Sequence, residues 1–244
     1  MKWCSLFSDL YDRKIKRQQQ WLAKNREHTK LLPKWLITLI ETPIITKECD
    51  LRTVNILSVD METTGKDPEK DQILSVGYVQ INGKKIILSS SVNEYVNSHQ
   101  HINIDAALVN QITSTMLEEG ESLDEVMKRL FLAMKGRLLL AHGSFMEQGF
   151  IQQYILQRYN IADFPLIWID TLLLYKSLSE LHNQPRDFRL GSAREYFNLP
   201  EYEAHDALFD SIATAELYLV LINRIFLNQP VTMLELLQRQ QTYR

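Results

Sequence analysis

The dipeptide Asn82-Gly83 constrains the middle of the chain more than any other feature. It lies between two runs of strand texture, residues 72–81 and 84–91, and Asn-Gly is the preferred pair where a two-residue hairpin needs positive φ angles. A third run precedes them. Residues 55–62 alternate so that Ile56, Ser58, Asp60 and Glu62 share one face. Together the three runs predict an antiparallel meander. Downstream the texture changes: Ser122-Leu-Asp-Glu125 is a capping box opening a helix to about residue 135, with Gly136 as its stop. A short buried strand over 137–141, a helix over 146–159, a strand over 166–169 ending at Asp170 and a helix over 171–181 follow. A polar loop over 183–189 leads to helices over 190–197 and about 206–226, the last closed by Gln229-Pro230. Helices alternating with strands make this an α/β chain.

Residues 1–50 are different in kind. Residues 9–29 contain no Gly or Pro and carry a thin apolar stripe of Leu10, Ile15, Trp21 and Leu22, so they read as a helix. A second short helix is expected from Pro33 to before Pro43, then a linker over 43–52. The expected organisation is a basic helical extension over 1–50, the main domain over 51–227 and an amphipathic tail helix over 228–244. Charge divides at the same place: ten Lys/Arg face six Asp/Glu in residues 1–50, against seventeen and twenty-four thereafter. Such a basic segment either tracks phosphates or is a solvated helix face. With 45% hydrophobic and 23% charged residues, disorder is excluded. Cys4 and Cys49 have no metal-site spacing, the start has no signal-peptide core, and no apolar run reaches the roughly 20 residues of a membrane span. A cytoplasmic location is the expectation, with no membrane partner.

Three acidic clusters fall at element ends. Asp60 and Glu62 leave one face of a strand end, spaced to converge on a hard cation held through oxygen. Thr63-Thr64-Gly65 follows, with hydroxyls and a permissive backbone where an anionic substrate end can approach. In His142-Gly-Ser-Phe-Met-Glu147 a buried strand delivers the chain to a helix, and an acid in its first turn suits the helix dipole. His205-Asp-Ala-Leu-Phe-Asp210 opens the long helix with an imidazole five residues before a carboxylate. Read singly, each has an ordinary explanation: a chance Asp-x-Glu, a first-turn acid, a surface cap.

Read together, Asp-Met-Glu-Thr-Thr-Gly, His-Gly-Ser-Phe-Met-Glu and Ala-His-Asp-Ala-Leu-Phe-Asp, in this order, resemble the three exonuclease motifs of the DEDDh family, the group of the proofreading epsilon subunit of bacterial replicative polymerase. The resemblance covers about residues 54–226. Ile169-Asp-Thr-Leu and Arg189-Leu-Gly-Ser match its texture between the second and third motifs, although the family's strict form has Val at 169. It implies an RNase H-like fold, a mixed central sheet flanked by helices, and removal of nucleoside monophosphates from the 3′ end of single-stranded DNA or RNA. It also implies two Mg²⁺ or Mn²⁺ ions, with Asp60 bridging both, Glu62 and Asp210 completing the more buried site, Glu147 acting on the second ion directly or through water, and His205 as general base. Met61, Thr63, Thr64 and Gly65 would lie against the terminal nucleotide. His142 is assigned a structural role and Asp170 a helix cap. A DNA polymerase or a sliding clamp is the implied protein partner, the latter because residues 229–237 loosely resemble a clamp-binding peptide; the other reading of that tail is a packing helix.

One departure stands out. The family usually has Asp where this chain has Glu147, and the extra methylene carries the carboxylate about 1.5 Å further from the backbone. Two readings compete with the enzyme: a catalytically weak nucleic-acid-binding or polymerase-associated subunit, and an acidic calcium-stabilised domain. The first has no need of four metal-facing acids, and the second has no need of His205.

Overall fold

The computed structural model describes residues 20–21, 32–42, 49–97, 112–164, 166–179, 187–203, 205–227 and 229–241. Five strands form one sheet: β1 (Asn55–Thr63), β2 (Ile73–Asn82), β3 (Lys85–Tyr95), β4 (Leu138–Ala141) and β5 (Trp168–Asp170), in the order β3-β2-β1-β4-β5. The expected meander is the antiparallel half, and β4 and β5 join β1 in parallel. The sheet is therefore mixed. The hairpin lies one residue later than the sequence suggested: Asn82 pairs with Lys85, and Gly83 takes the first loop position with φ 62°. A Cβ there would meet the Arg52 carbonyl oxygen at 2.6 Å, so glycine is required on two counts.

Helices cover both faces. On one side Leu57, Val59, Leu139 and Trp168 pack against α1 (Lys34–Glu41), α3 (Leu123–Met134) and α4 (Phe145–Tyr159). On the other, Ile56, Val79, Leu140 and Ile169 pack against α5 (Thr171–Ser179), α6 (Leu190–Tyr196), α7 (Ala207–Phe226) and α8 (Met233–Gln241). Burial on both faces is why β4 reads Leu-Leu-Leu-Ala without alternation. A short helix, α2 (Ser114–Glu118), capped by the Thr113 hydroxyl, had no counterpart in the sequence reading.

Most of the helix expected over 9–29 lies outside the described residues. Gln20 and Trp21 are helical, and Trp21 meets Phe164 edge-on at 5.6 Å while donating to the Ala162 carbonyl. Trp35 of α1 stacks on Phe131 at 5.5 Å, so these parts of the extension share the main core. The end of the expected linker is also built in: Asp50 bridges Thr232, and the Leu51 amide donates to the Val231 carbonyl at 2.8 Å. The tail turns inward. Thr232 and Glu235 cap α8 reciprocally, and Met233, Leu236 and Leu237, the side chains a clamp-binding peptide would offer to a partner, are buried in the core. The packing-helix reading of the tail replaces the clamp-peptide one. Among the described residues no helix is long and apolar enough to cross a membrane.

Candidate active site

Period-two alternation in β1 sends Ile56, Ser58, Asp60 and Glu62 toward α7, as read from the sequence. Ser58 confirms the direction by donating to the Ser211 carbonyl of α7 at 2.7 Å. Asp206 caps α7, its Oδ1 accepting from the Phe209 amide at 3.0 Å, and Asp210 stands in the first turn. One carboxylate oxygen each from Asp60, Glu62 and Asp210 lies within 4.8 Å of the other two. Residues separated by about 150 positions thus meet where β1 ends and α7 begins.

Glu147 approaches from the opposite helical layer, in the first turn of α4. It stands outside the group of three but close enough to repel both Asp60 and Glu62. Burial, then repulsion from Glu147, Asp210, Glu62 and Asp206, pushes Asp60 well above the usual carboxylate range. Burial, then Asp210 and Asp206, raises Glu62 to about 7. Burial raises Glu147 to about 8, with Asp170 and Glu62 adding to it. Asp210 is raised by burial too, partly offset by the His205 backbone amide that donates to its Oδ2 at 3.1 Å.

These acids lack, among the described residues, the basic ion-pair partners that buried acids normally have. Among the described residues none of the four forms an ion pair with Lys or Arg, Glu62 and Glu147 are only 7% and 5% exposed, and Glu147 Oε2 is buried without a hydrogen bond. Buried charge persists when paired or bound to metal. A set of hard oxygen donors with an orphaned carboxylate oxygen beside it fits divalent cations of the Mg²⁺ or Mn²⁺ type.

The surrounding residues fix this geometry. Asp170, at the end of β5, accepts from the amides of Leu172, Gly143 and Ser144 at 2.9–3.0 Å and from the Ser144 hydroxyl. It therefore caps α5, as expected, and also holds the turn that starts α4. His142 is structural: Nε2 meets the Phe188 carbonyl at 2.8 Å and Nδ1 the Thr171 hydroxyl at 2.9 Å. Burial lowers its pKa, and a carbonyl can only accept, so Nε2 carries the proton of a neutral ring. His205 is exposed, at φ 68°, on the wall of a cleft of about 1080 Å³ that it shares with Asp210, Leu172 and Arg189.

The residues expected to meet a nucleotide make contacts within the chain. Met61 packs against the α3 and α4 side, the face opposite Asp60. Thr64 donates its amide to the Gln72 carbonyl and its hydroxyl to Asp71, and the Thr63 hydroxyl donates to the Gly65 carbonyl. A Cβ on Gly65 would lie 2.4 Å from Asp71. The Thr63-Thr64-Gly65 segment is thus a turn closed on itself. Sequence reasoning assigned no role to Ser58, Gly77 or Asn93, although an isolated glycine inside a strand such as β2 is a recognised mark of close backbone approach.

An exonuclease family model, RNase_T, matches residues 57–218, about two thirds of the chain. The chain belongs to this exonuclease family. Asp60, Glu62, Glu147, His205 and Asp210 all fall within the matched part of the exonuclease domain. It is 29% identical over 188 residues to a PolC-type DNA polymerase III of Thermotoga maritima, covering 76% of this chain and 13% of that protein. It is 27% identical over 157 residues to the 3′-5′ exonuclease DinG of Staphylococcus haemolyticus, covering 64% of this chain and 17% of that protein. The chain therefore spans less than a fifth of the length of these two relatives. In three dimensions the exonuclease domain matches the nuclease domain of 3′hExo, a DEDDh family member solved bound to rAMP, with a TM-score of 0.59 and 21% identity over 72% of this chain and 95% of that one. The RNase H-like mixed sheet flanked by helices is the fold observed.

Proposed function

We propose that this chain is a metal-dependent 3′-to-5′ exonuclease that releases nucleoside monophosphates from the 3′ end of single-stranded DNA or RNA. The observation that carries the proposal is the convergence of Asp60, half-buried Asp210 and buried Glu62 within 4.8 Å, with no ion pair to Lys or Arg among the described residues, beside the unpartnered Oε2 of buried Glu147. In this reading Asp60, Glu62 and Asp210 hold one Mg²⁺ or Mn²⁺ ion, and Asp60 and Glu147 hold a second. Asp60 is the shared acid because it belongs to the group of three and Glu147 is the neighbouring charge that repels it most strongly. Bound divalent cations supply Lewis-acid stabilisation of the phosphate and a more acidic water.

The chain's own groups do the rest. His205, exposed on the cleft wall and anchored through its amide to Asp210, accepts the proton of the attacking water. The self-closed Thr63-Thr64-Gly65 turn forms a rigid border next to Glu62, against which the terminal sugar rests, and Met61 supports that border from the other face of the sheet. The names of the relatives support a polymerase as the protein partner.

Digestion of 3′-labelled and 5′-labelled single-stranded DNA and RNA, with Mg²⁺, Mn²⁺ or EDTA, tests the reading. The 3′ label should appear first as a mononucleotide, only with metal, and Asp60→Asn should abolish it. Full hydrolysis in excess EDTA, or release from the 5′ end, overturns the proposal.

A further inference from the structure

We infer that Ser58, Gly77 and Asn93 form a seat for the first turn of α7 and are positioning residues for the cation site, because they set how closely Asp210 approaches Asp60 and Glu62. The inference rests on the proposed cation reading. Gly77 pairs with Asp60 on one side and with Asn93 on the other, so the three stand in one row across β1, β2 and β3. Residues opposed across strands share a face, and here it is the face turned to α7.

The first turn of α7 lies directly on that row. A Cβ at Gly77 would sit 2.1 Å from the carbonyl carbon of Ala207 and 2.2 Å from its oxygen and from the Leu208 nitrogen. These are backbone atoms, so no side chain can swing aside. A glycine merely tolerated in a strand would have open space or a flexible side chain above it. On the outer side, Asn93 Nδ2 donates to Asp206 Oδ2 at 3.3 Å while the other oxygen of Asp206 caps the helix. On the inner side, fully buried Ser58 donates to the Ser211 carbonyl. The helix is held on either side of the point where it touches the sheet, and Asp210 lies within the held stretch.

Any side chain at position 77 must lift this turn. Carbon contacts need roughly 3.5 Å, so Ala207 has to rise by about 1.4 Å, which opens the group of three acids by a comparable distance. Asn93→Asp acts on the same turn without steric change, by placing two carboxylates face to face. Adding Asp206→Asn exchanges donor and acceptor and restores the bond.

The test is Mn²⁺ binding to the full chain by calorimetry, with kcat and KM on a short single-stranded oligonucleotide and far-ultraviolet circular dichroism as the fold control. Gly77→Ala should weaken Mn²⁺ binding by about tenfold or more and lower kcat by about 10²-fold, the usual loss for a misplacement of this size, with KM changed by less than about threefold. Asn93→Asp should lower kcat by about tenfold, and the Asn93→Asp/Asp206→Asn pair should recover most of it. Wild-type Mn²⁺ binding and kcat in Gly77→Ala overturn the inference. Should Gly77→Ala not fold, the Asn93 variants decide, and a swap no better than the single change overturns it. A wild-type chain that binds no Mn²⁺ refutes the cation reading and this inference together, whereas wild-type binding equalled by every variant refutes the seat alone.

Discussion

Replacing Glu62 by Gln should make the metal-free protein more stable at alkaline pH and leave it unchanged in acid. Glu62 is 7% exposed, and burial with the neighbouring Asp210 and Asp206 raises its pKa from 4.5 to about 7. Below the lower value the group is protonated in both folded and unfolded chains and contributes nothing. As the pH rises from 4.5 to about 7 the unfolded chain gives up its proton while the folded chain keeps it, so stability falls. Above 7 the carboxylate is charged in both states and the full penalty persists. At about 1.4 kcal/mol per pKa unit the shift corresponds to roughly 3 kcal/mol, which Gln, neutral and of the same shape, removes. For a domain of this size that is about 6–12 °C in Tm. Thermal unfolding followed by circular dichroism in EDTA should show this gain at about pH 8.5 and a difference of less than about 2 °C at about pH 4. Mn²⁺ should then raise the Tm of the wild type well above that of Glu62→Gln, because the cation takes the place of the missing protons. A variant that melts lower than wild type at alkaline pH, or by the same margin at both pH values, refutes the reasoning.

Glu147→Ala should abolish most hydrolysis, whereas Glu147→Asp, which retracts the carboxylate into the family's usual length, should change the rate several-fold and shift the balance of Mg²⁺ against Mn²⁺ activity; steady-state rates with each ion decide, and full activity in the alanine variant would remove Glu147 from the site. His205→Ala should lower kcat by about 10²–10⁴-fold while Mn²⁺ binding measured by calorimetry is retained, and an equal loss of both would assign the residue to the fold of the loop instead. Asp170→Ala leaves the amides of Gly143, Ser144 and Leu172 without their acceptor and should cost about 3 kcal/mol or more in denaturant unfolding; a loss below about 1 kcal/mol would show that water replaces the carboxylate.

What could be read from the chain alone was whatever depends on neighbours a few residues apart. The face shared by Ser58, Asp60 and Glu62 follows from strand periodicity, and the same period already places Met61 on the opposite face, where it packs. The cap at Ser122, the glycine at 136 in the left-handed region and the acid in the first turn of α4 are local in the same sense. The order of the three acidic motifs carried the family and, with it, the mixed sheet. The hairpin was legible to within one residue, but not that the Arg52 carbonyl, outside the turn, leaves no room for a Cβ at position 83.

The tertiary structure alone decided which backbones touch. The Thr64 hydroxyl and amide are engaged within the chain because Asp71 and Gln72 return to them across the loop. The tail is core because Leu51 and Val231 pair at a sequence separation no local pattern spans. Asp210 becomes a neighbour of Asp60 only because a strand glycine leaves room for Ala207, and excluded volume between elements far apart in sequence exists only once both are packed. Local periodicity specifies which face a carboxylate occupies; the distance between carboxylates on different elements is set by the atoms that keep those elements apart.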